Sequence, residues 1–140
     1  MTRIAFYVGQ SNSLQARLLL ACKLVEKALA QDMQIYIHTD HFNTSTRMDE
    51  LLWAYNDLSF IPHALAPSNE RGLKVLIGHD SEPPEPCEFL INLSNEMPSF
   101  LERFERMAEV LDQEETILVA GRNRYQLYRK QGYNLDYHQL

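Results

Sequence analysis

Hydrophobic and polar residues alternate with two different periods along the first part of the chain. An apolar run at residues 3–8 predicts a buried strand, and apolar positions at helical spacing then predict a helix over residues 14–31. Apolar and polar residues alternate at residues 33–38, which predicts a second strand. Strand, helix and strand in this order are typical of a parallel sheet with a right-handed crossover.

The same patterns continue to the end of the chain. They predict helices at residues 44–53, 98–111 and 122–131, strands at 73–77, 89–93 and 116–120, and an extended segment at 58–65. Strands that alternate with helices predict an α/β fold of three layers, with a mainly parallel sheet and helices on both faces. No repeat or linker divides residues 1–140, so a single domain is expected.

The composition is that of an ordinary globular protein, with 45% hydrophobic and 23% charged residues. No apolar run is long enough to span a bilayer and no signal-peptide cleavage site follows the first strand, so we expect a cytoplasmic protein. Cys22 and Cys87 lack any paired spacing and are expected to be reduced thiols. The net charge of −6 argues against broad, non-specific binding to nucleic acid.

The most unusual stretch lies near the end of this acidic chain. No carboxylate occurs between Glu115 and Asp136, whereas four basic residues and three tyrosines do. If this stretch is helical, Arg122, Tyr125 and Arg129 share one face. One interpretation is a site where a guanidinium and an aromatic ring hold a carboxylate and an apolar group. The other is an ordinary amphipathic helix whose tyrosines pack on the core.

Signals for enzymatic chemistry are weak. The turn at residues 9–13 lacks the glycine patterns of dinucleotide- and ATP-binding loops. His38, Asp40 and His41 form the one tight cluster of histidine and carboxylate, which His79 could join from another strand. A small nucleotide- or metal-dependent α/β enzyme that uses this cluster is therefore the alternative hypothesis. The preferred prediction is a protein with neither catalytic residues nor cofactors.

Two further hypotheses concern exposed aromatic and basic side chains. Trp53 and Phe60 are either core residues or exposed anchors for a protein partner, because large aromatic residues are common in both places. Another hypothesis is direct binding of nucleic acid through the arginines, the lysine and the tyrosines of residues 122–133. Four basic residues on an acidic protein are too few for the extended basic surface that such binding needs.

Several motifs, in this order and at these spacings, resemble the chi subunit of bacterial DNA polymerase III over essentially the whole chain. They are L-L-W at residues 51–53, S-F-I-P-H-A-L at 59–65, I-N-L at 91–93, R-N-R-Y-Q-L-Y-R at 122–129 and G-Y-N-L at 132–135. The resemblance implies a Rossmann-like fold and a non-catalytic accessory protein of the clamp loader.

The resemblance also implies partners and sites. Such proteins connect the clamp loader, through its psi subunit, to the acidic and apolar C-terminal tail of single-stranded-DNA-binding protein. Carried over by motif, the tail pocket would contain Arg122 and Tyr125, with Trp53 as an apolar wall and Arg124 as a further basic residue. Phe60 would face psi or an accessory helicase. No cofactor, membrane contact or direct nucleic-acid contact is implied.

Overall fold

A sheet of seven parallel strands forms the middle layer of the computed structural model, which describes residues 1–55 and 58–140. The strands are β1 (Arg3–Val8), β2 (Ile35–His38), β3 (His63–Leu65), β4 (Val75–Gly78), β5 (Phe89–Asn92), β6 (Arg106–Leu111) and β7 (Leu135–Gln139). Their order across the sheet is β3-β4-β2-β5-β6-β1-β7. The predicted parallel α/β architecture is confirmed.

Helices cover both faces of this sheet. The helices α1 (Leu14–Ala30) and α2 (Phe42–Ala54) pack on one face, where they bury Ile35 and Ile37 of β2. The helix α3 (Glu115–Lys130) and a 3-10 turn at Leu101–Arg103 pack on the other face, which includes Tyr36. Because successive strand side chains point to opposite faces, each central strand contributes to both hydrophobic layers.

The strands and helices predicted before residue 98 are present, with ends that differ by at most two residues. Of the extended segment predicted at 58–65, only His63–Leu65 forms a strand, and residues 58–60 form a turn. The side chain of Ser13 caps α1 by accepting a hydrogen bond from the Ala16 N–H, which satisfies one of the free amides of the first turn. Cys22 and Cys87 are buried free thiols. The burial of Cys22 raises its pKa to about 12, so it behaves as a small apolar core residue.

The helix predicted at residues 98–111 is wrong. Only the short 3-10 turn forms after Pro98, and residues 106–111 form the strand β6 between β5 and β1. Five of the six residues of β6 are buried, so its apolar positions are nearly continuous. Such a run fits one side of a helix as well as a strand that is covered on both faces, and periodicity alone does not distinguish them.

The strand predicted at residues 116–120 is also wrong, because this segment is the first part of α3. The β-branched residues Thr116, Ile117 and Val119 suggested a strand, but Glu114 caps a helix here by accepting the Ile117 N–H. The helix predicted at 122–131 is therefore the second half of a longer one. It ends near Gly132, whose φ of 85° suits the residue that follows a helix.

The sequence patterns missed β7 altogether. Four of its five residues are exposed, and it has only a weak apolar signal because it lies at the edge of the sheet. It pairs in parallel with β1, with Phe6 opposite Tyr137. This strand gives the molecule an edge that α3 does not fully cover.

A buried carboxylate connects α3 to the centre of the sheet. Glu109 of β6 is fully buried and accepts hydrogen bonds from Arg124 Nη2 at 2.8 Å, Arg124 Nε at 3.0 Å and the Tyr128 hydroxyl at 2.7 Å. Asn92 of β5 donates its amide to the same carboxylate. The helix also approaches closely, since a Cβ at Gly121 would overlap the side chain of Leu111.

We expect Glu109→Gln to lower the free energy of unfolding by about 3–5 kcal/mol, because it leaves the buried Arg124 guanidinium without its counter-charge. Urea denaturation followed by circular dichroism measures this loss. The exposed Glu105→Gln is the matched control and should change the unfolding free energy by less than about 0.5 kcal/mol. Equal and small effects for both variants would contradict a structural role for the buried pair.

Candidate protein-binding surfaces

One flank of α3 and the neighbouring face of β7 form an exposed aromatic and basic surface. Its members are Arg122, Tyr125 and Arg129 of α3 and Tyr137 of β7, and we call them the α3–β7 surface. The rings of Tyr125 and Tyr137 meet edge to face with centroids 6.0 Å apart. Tyr137 is 46% exposed, so the pair has an apolar side that faces solvent.

Helical spacing determines which side chains reach this surface. Gly121, Arg124 and Tyr128 are the buried residues of α3 and follow one another at intervals of three and four. Arg122 and Arg129 consequently point outward on the flank of Tyr125, which contacts Phe6 of β1 at a centroid distance of 5.2 Å. Tyr128 packs in the core, as expected for an ordinary amphipathic helix, while Arg122 and Arg129 remain exposed, and the interpretation as a carboxylate-binding site stays a prediction.

The α3–β7 surface has no carboxylate among its members, although the protein carries a net charge of −6. Asp136 belongs to β7, but its side chain is directed to the opposite face of the sheet, like that of His138, which stacks on Tyr7 with centroids 4.8 Å apart. Two guanidinium groups and two tyrosine rings without a neighbouring acid suit a ligand that is both anionic and apolar.

Arg124 lies beneath this surface and not on it. It is 5% exposed, and both of its bonded nitrogens donate to Glu109. Burial lowers the pKa of its guanidinium, but the charge and hydrogen bonds of Glu109 more than compensate, so the pKa is raised overall. The resemblance placed Arg124 in the tail pocket, but its guanidinium is buried and bound to Glu109. A partner at the surface therefore cannot reach it.

Trp53 lies far from the α3–β7 surface. It is on α2, whose neighbours Leu51 and Leu52 pack with α1, whereas Tyr125 packs on the opposite face of the sheet. Trp53 also contacts β3, at the edge of the sheet most distant from β7. A single pocket that joins Trp53 to Arg122 and Tyr125, as the motifs suggested, is therefore not formed.

Trp53 belongs instead to a second surface together with Phe60. Trp53 is 54% exposed and Phe60 is 95% exposed, so neither is a core residue. We call Trp53, Phe60 and the supporting residue His63 the α2–β3 surface. An aromatic side chain as exposed as Phe60 contributes almost nothing to folding, which makes it a strong candidate for contact with a partner.

His63 contacts the ring of Trp53 and the backbone next to Phe60. Its Nδ1 donates to the Ile61 carbonyl at 2.8 Å, which orders the backbone just after Phe60, and its ring lies 4.2 Å from the ring of Trp53. Its Nε2 is 3.6 Å from the carboxylate of Asp49, which also accepts a hydrogen bond from Trp53. Burial raises the pKa of Asp49, and the charge of His63 and the Trp53 hydrogen bond lessen this rise.

Neither His63 nor Tyr137 was among the predicted site residues. His63 follows Pro62 in the S-F-I-P-H motif and is the first residue of the edge strand β3, a position that a preceding proline can indicate. Tyr137 gave no usable signal, because its role depends on β7 pairing with β1.

The histidine cluster at the carboxyl end of β2 is dispersed. His38 is half-buried against Phe100, with ring centroids 5.2 Å apart, and burial lowers its pKa. Asp40 accepts the Asn95 N–H at 2.9 Å, His41 is exposed, and His79 contacts Phe42. In the described part of the chain, no three His, Cys, Asp or Glu side chains converge as metal ligands would.

The sequence from residue 1 to residue 136 matches the family model described as "DNA polymerase III chi subunit, HolC". The chain belongs to the DNA polymerase III chi subunit family. A chi subunit is an accessory subunit of the replicative polymerase, so the chain is a DNA replication protein. Among residues 1–55 and 58–140, no helix combines the length and apolar character that crossing a bilayer demands.

Three individual chi subunits show how far the similarity extends. DNA polymerase III subunit chi of Pseudomonas aeruginosa is 40% identical over 140 residues, which cover 100% of this chain and 98% of the relative. The subunit chi of Haemophilus influenzae is 24% identical over 144 residues, covering 94% and 92% of the two chains. That of Escherichia coli is 28% identical over 119 residues, covering 84% and 81%.

Arg122 and Arg124 lie two residues apart on one helix and give a matched pair of variants. We expect Arg124→Ala to cost about 3–5 kcal/mol of unfolding free energy, because the buried Glu109 then loses its counter-charge. Arg122→Ala should change it by less than about 0.5 kcal/mol, because its side chain is exposed. Urea denaturation of both variants tests the assignment, and a large loss for Arg122→Ala would refute it.

Proposed function

We propose that this chi-family protein is a non-catalytic adaptor that links the clamp loader, through the psi subunit, to the C-terminal tail of single-stranded-DNA-binding protein. The observation that carries the proposal is the presence of two exposed aromatic surfaces on opposite faces and at opposite edges of one sheet. An adaptor needs two surfaces that partners can occupy at the same time, and this separation provides them.

The α3–β7 surface suits the tail. An α-carboxylate can form two parallel hydrogen bonds with the guanidinium of Arg122, while a terminal apolar side chain packs against Tyr125 and Tyr137. Acidic residues further up the tail would meet Arg129. Because the rest of the protein is negative, an acidic peptide is attracted to this surface and repelled elsewhere.

The α2–β3 surface suits psi, or an accessory helicase that takes the place of psi. Trp53 and Phe60 are the residue types that anchor protein interfaces. His63 contacts the ring of Trp53 and donates a hydrogen bond to the Ile61 carbonyl, next to Phe60. This proposal assigns Trp53 to the same surface as Phe60, since the geometry separates it from Arg122 and Tyr125.

We expect Arg122→Ala to weaken binding of the tail peptide by about 10- to 100-fold, the range for losing hydrogen bonds to a charged group. Lys130→Ala should weaken it much less, because Lys130 lies on the other flank of α3. Fluorescence anisotropy with a labelled tail peptide measures both, and the affinity should fall as salt rises. Equal losses for the two variants, or an affinity indifferent to salt, would count against the α3–β7 surface.

We expect Phe60→Ala to abolish or strongly weaken assembly with psi while tail binding and the unfolding free energy stay unchanged, because the side chain is 95% exposed. Co-elution with purified psi in gel filtration measures assembly, and the anisotropy assay gives the tail affinity of the same sample. The exposed Phe42→Ala is the control for loss of any surface phenylalanine. Loss of the folded circular dichroism signal in Phe60→Ala would argue for a structural role instead.

A further inference from the structure

The outer edge of β7 has free backbone groups beside the α3–β7 surface. Asn134 accepts the Ile4 N–H and Leu140 donates to the Val8 carbonyl, so the even-numbered residues turn their backbone groups toward β1. In a parallel pair the alternate residues then point away from the partner strand. The N–H and C=O groups of residues 135, 137 and 139 therefore face outward, and no hydrogen bond to them occurs within residues 1–55 and 58–140.

The two edges of the sheet are protected to different degrees. The opposite edge strand, β3, has three residues and lies between Pro62 and Pro67, which cannot donate to an added strand. The edge strand β7 has five residues and contains no proline. The side chains of Asp136 and His138 lie on the face away from α3, whereas those of Tyr137 and Gln139 lie on the α3 face. The edge at β7 is thus less protected than the edge at β3.

The arginines of α3 are placed along this open edge. The helix α3 connects the parallel strands β6 and β7, so it runs roughly antiparallel to β7. Tyr125 is level with Tyr137, Arg122 lies about one turn toward the end of β7, and Arg129 lies about one turn toward its start. The two guanidiniums are separated by about 10 Å along the helix axis, the rise of about three residues of an extended strand.

This arrangement selects an acidic peptide over a second copy of the chain. Antiparallel pairing of two β7 edges would bring the arginines of both copies together, which is unfavourable. An extended peptide whose carboxylate is bound at Arg122 would instead run parallel to β7. A side chain about three residues from its C-terminus would then be next to Arg129, where an acidic group is favoured.

We propose that the acidic peptide that binds the α3–β7 surface adds to the sheet as an eighth strand, parallel to β7. The inference rests on the function proposed above and specifies how the peptide is held. Main-chain hydrogen bonds to residues 135, 137 and 139 supply part of the affinity, and the side chains of Arg122, Tyr125 and Arg129 supply the selectivity.

The test replaces backbone amides of the tail peptide, one at a time, by esters, which removes one N–H and leaves the side chains unchanged. In a parallel pair only every second peptide amide points to β7, so the affinity should fall by about three- to tenfold at alternate positions and stay constant between them. Fluorescence anisotropy with the full-length protein gives each affinity.

A proline variant tests the same bonds from the protein side. Gln139→Pro removes an outward N–H without breaking a bond to β1, so we expect a similar loss of peptide affinity with an unchanged unfolding free energy. Gln139→Ala keeps the N–H and should bind like the parent protein. Peptide binding that depends on Arg122 but shows no alternation among the esters would overturn the added strand alone. Absence of binding by the unmodified peptide would overturn the tail site as well.

Discussion

The buried ion pair between Glu109 and Arg124 is the constraint on which the geometry of the candidate sites depends. A carboxylate in the middle of a sheet is tolerated only with a counter-charge and hydrogen bonds, and α3 supplies them through Arg124 and Tyr128. Satisfying this carboxylate fixes both the rotation and the height of α3. The same rotation turns Arg122 outward toward β7, so a core requirement determines where a surface arginine points.

The sheet then separates the two candidate surfaces. The α1 and α2 layer carries Trp53 to the edge at β3, whereas the α3 layer carries Arg122 to the edge at β7. Each surface is supported by its own buried group, His63 on one side and Glu109 on the other. Because these supports share no residue, a change at one surface need not disturb the other, which is the property that a two-partner adaptor requires.

The sequence patterns predicted the strands β1, β2, β4 and β5 and the helices α1 and α2 because these patterns are local. The strands at Arg3–Val8 and Ile35–His38 are bounded by clear turn signals, and α1 has a capped, periodic sequence. The errors at residues 98–120 share one cause. β6 is buried on both faces and α3 starts with β-branched residues, so the composition of each favours the wrong element. The exposure of Arg124 and Trp53 could not be predicted from the sequence, because it depends on how their helices pack on the sheet.

The register of β7 determines the chemistry of the α3–β7 surface. Residues 135–139 alternate between the two faces, with Tyr137 beside Tyr125 and Asp136 on the far side. A shift of one residue would exchange these positions and bring a carboxylate next to Arg122, which would cancel the attraction for an acidic ligand. The stretch of sequence without carboxylates ends at Asp136, one residue before Tyr137, the last member of the surface. Because strand side chains alternate, Asp136 points to the other face, and Tyr137 joins a surface that still has no carboxylate.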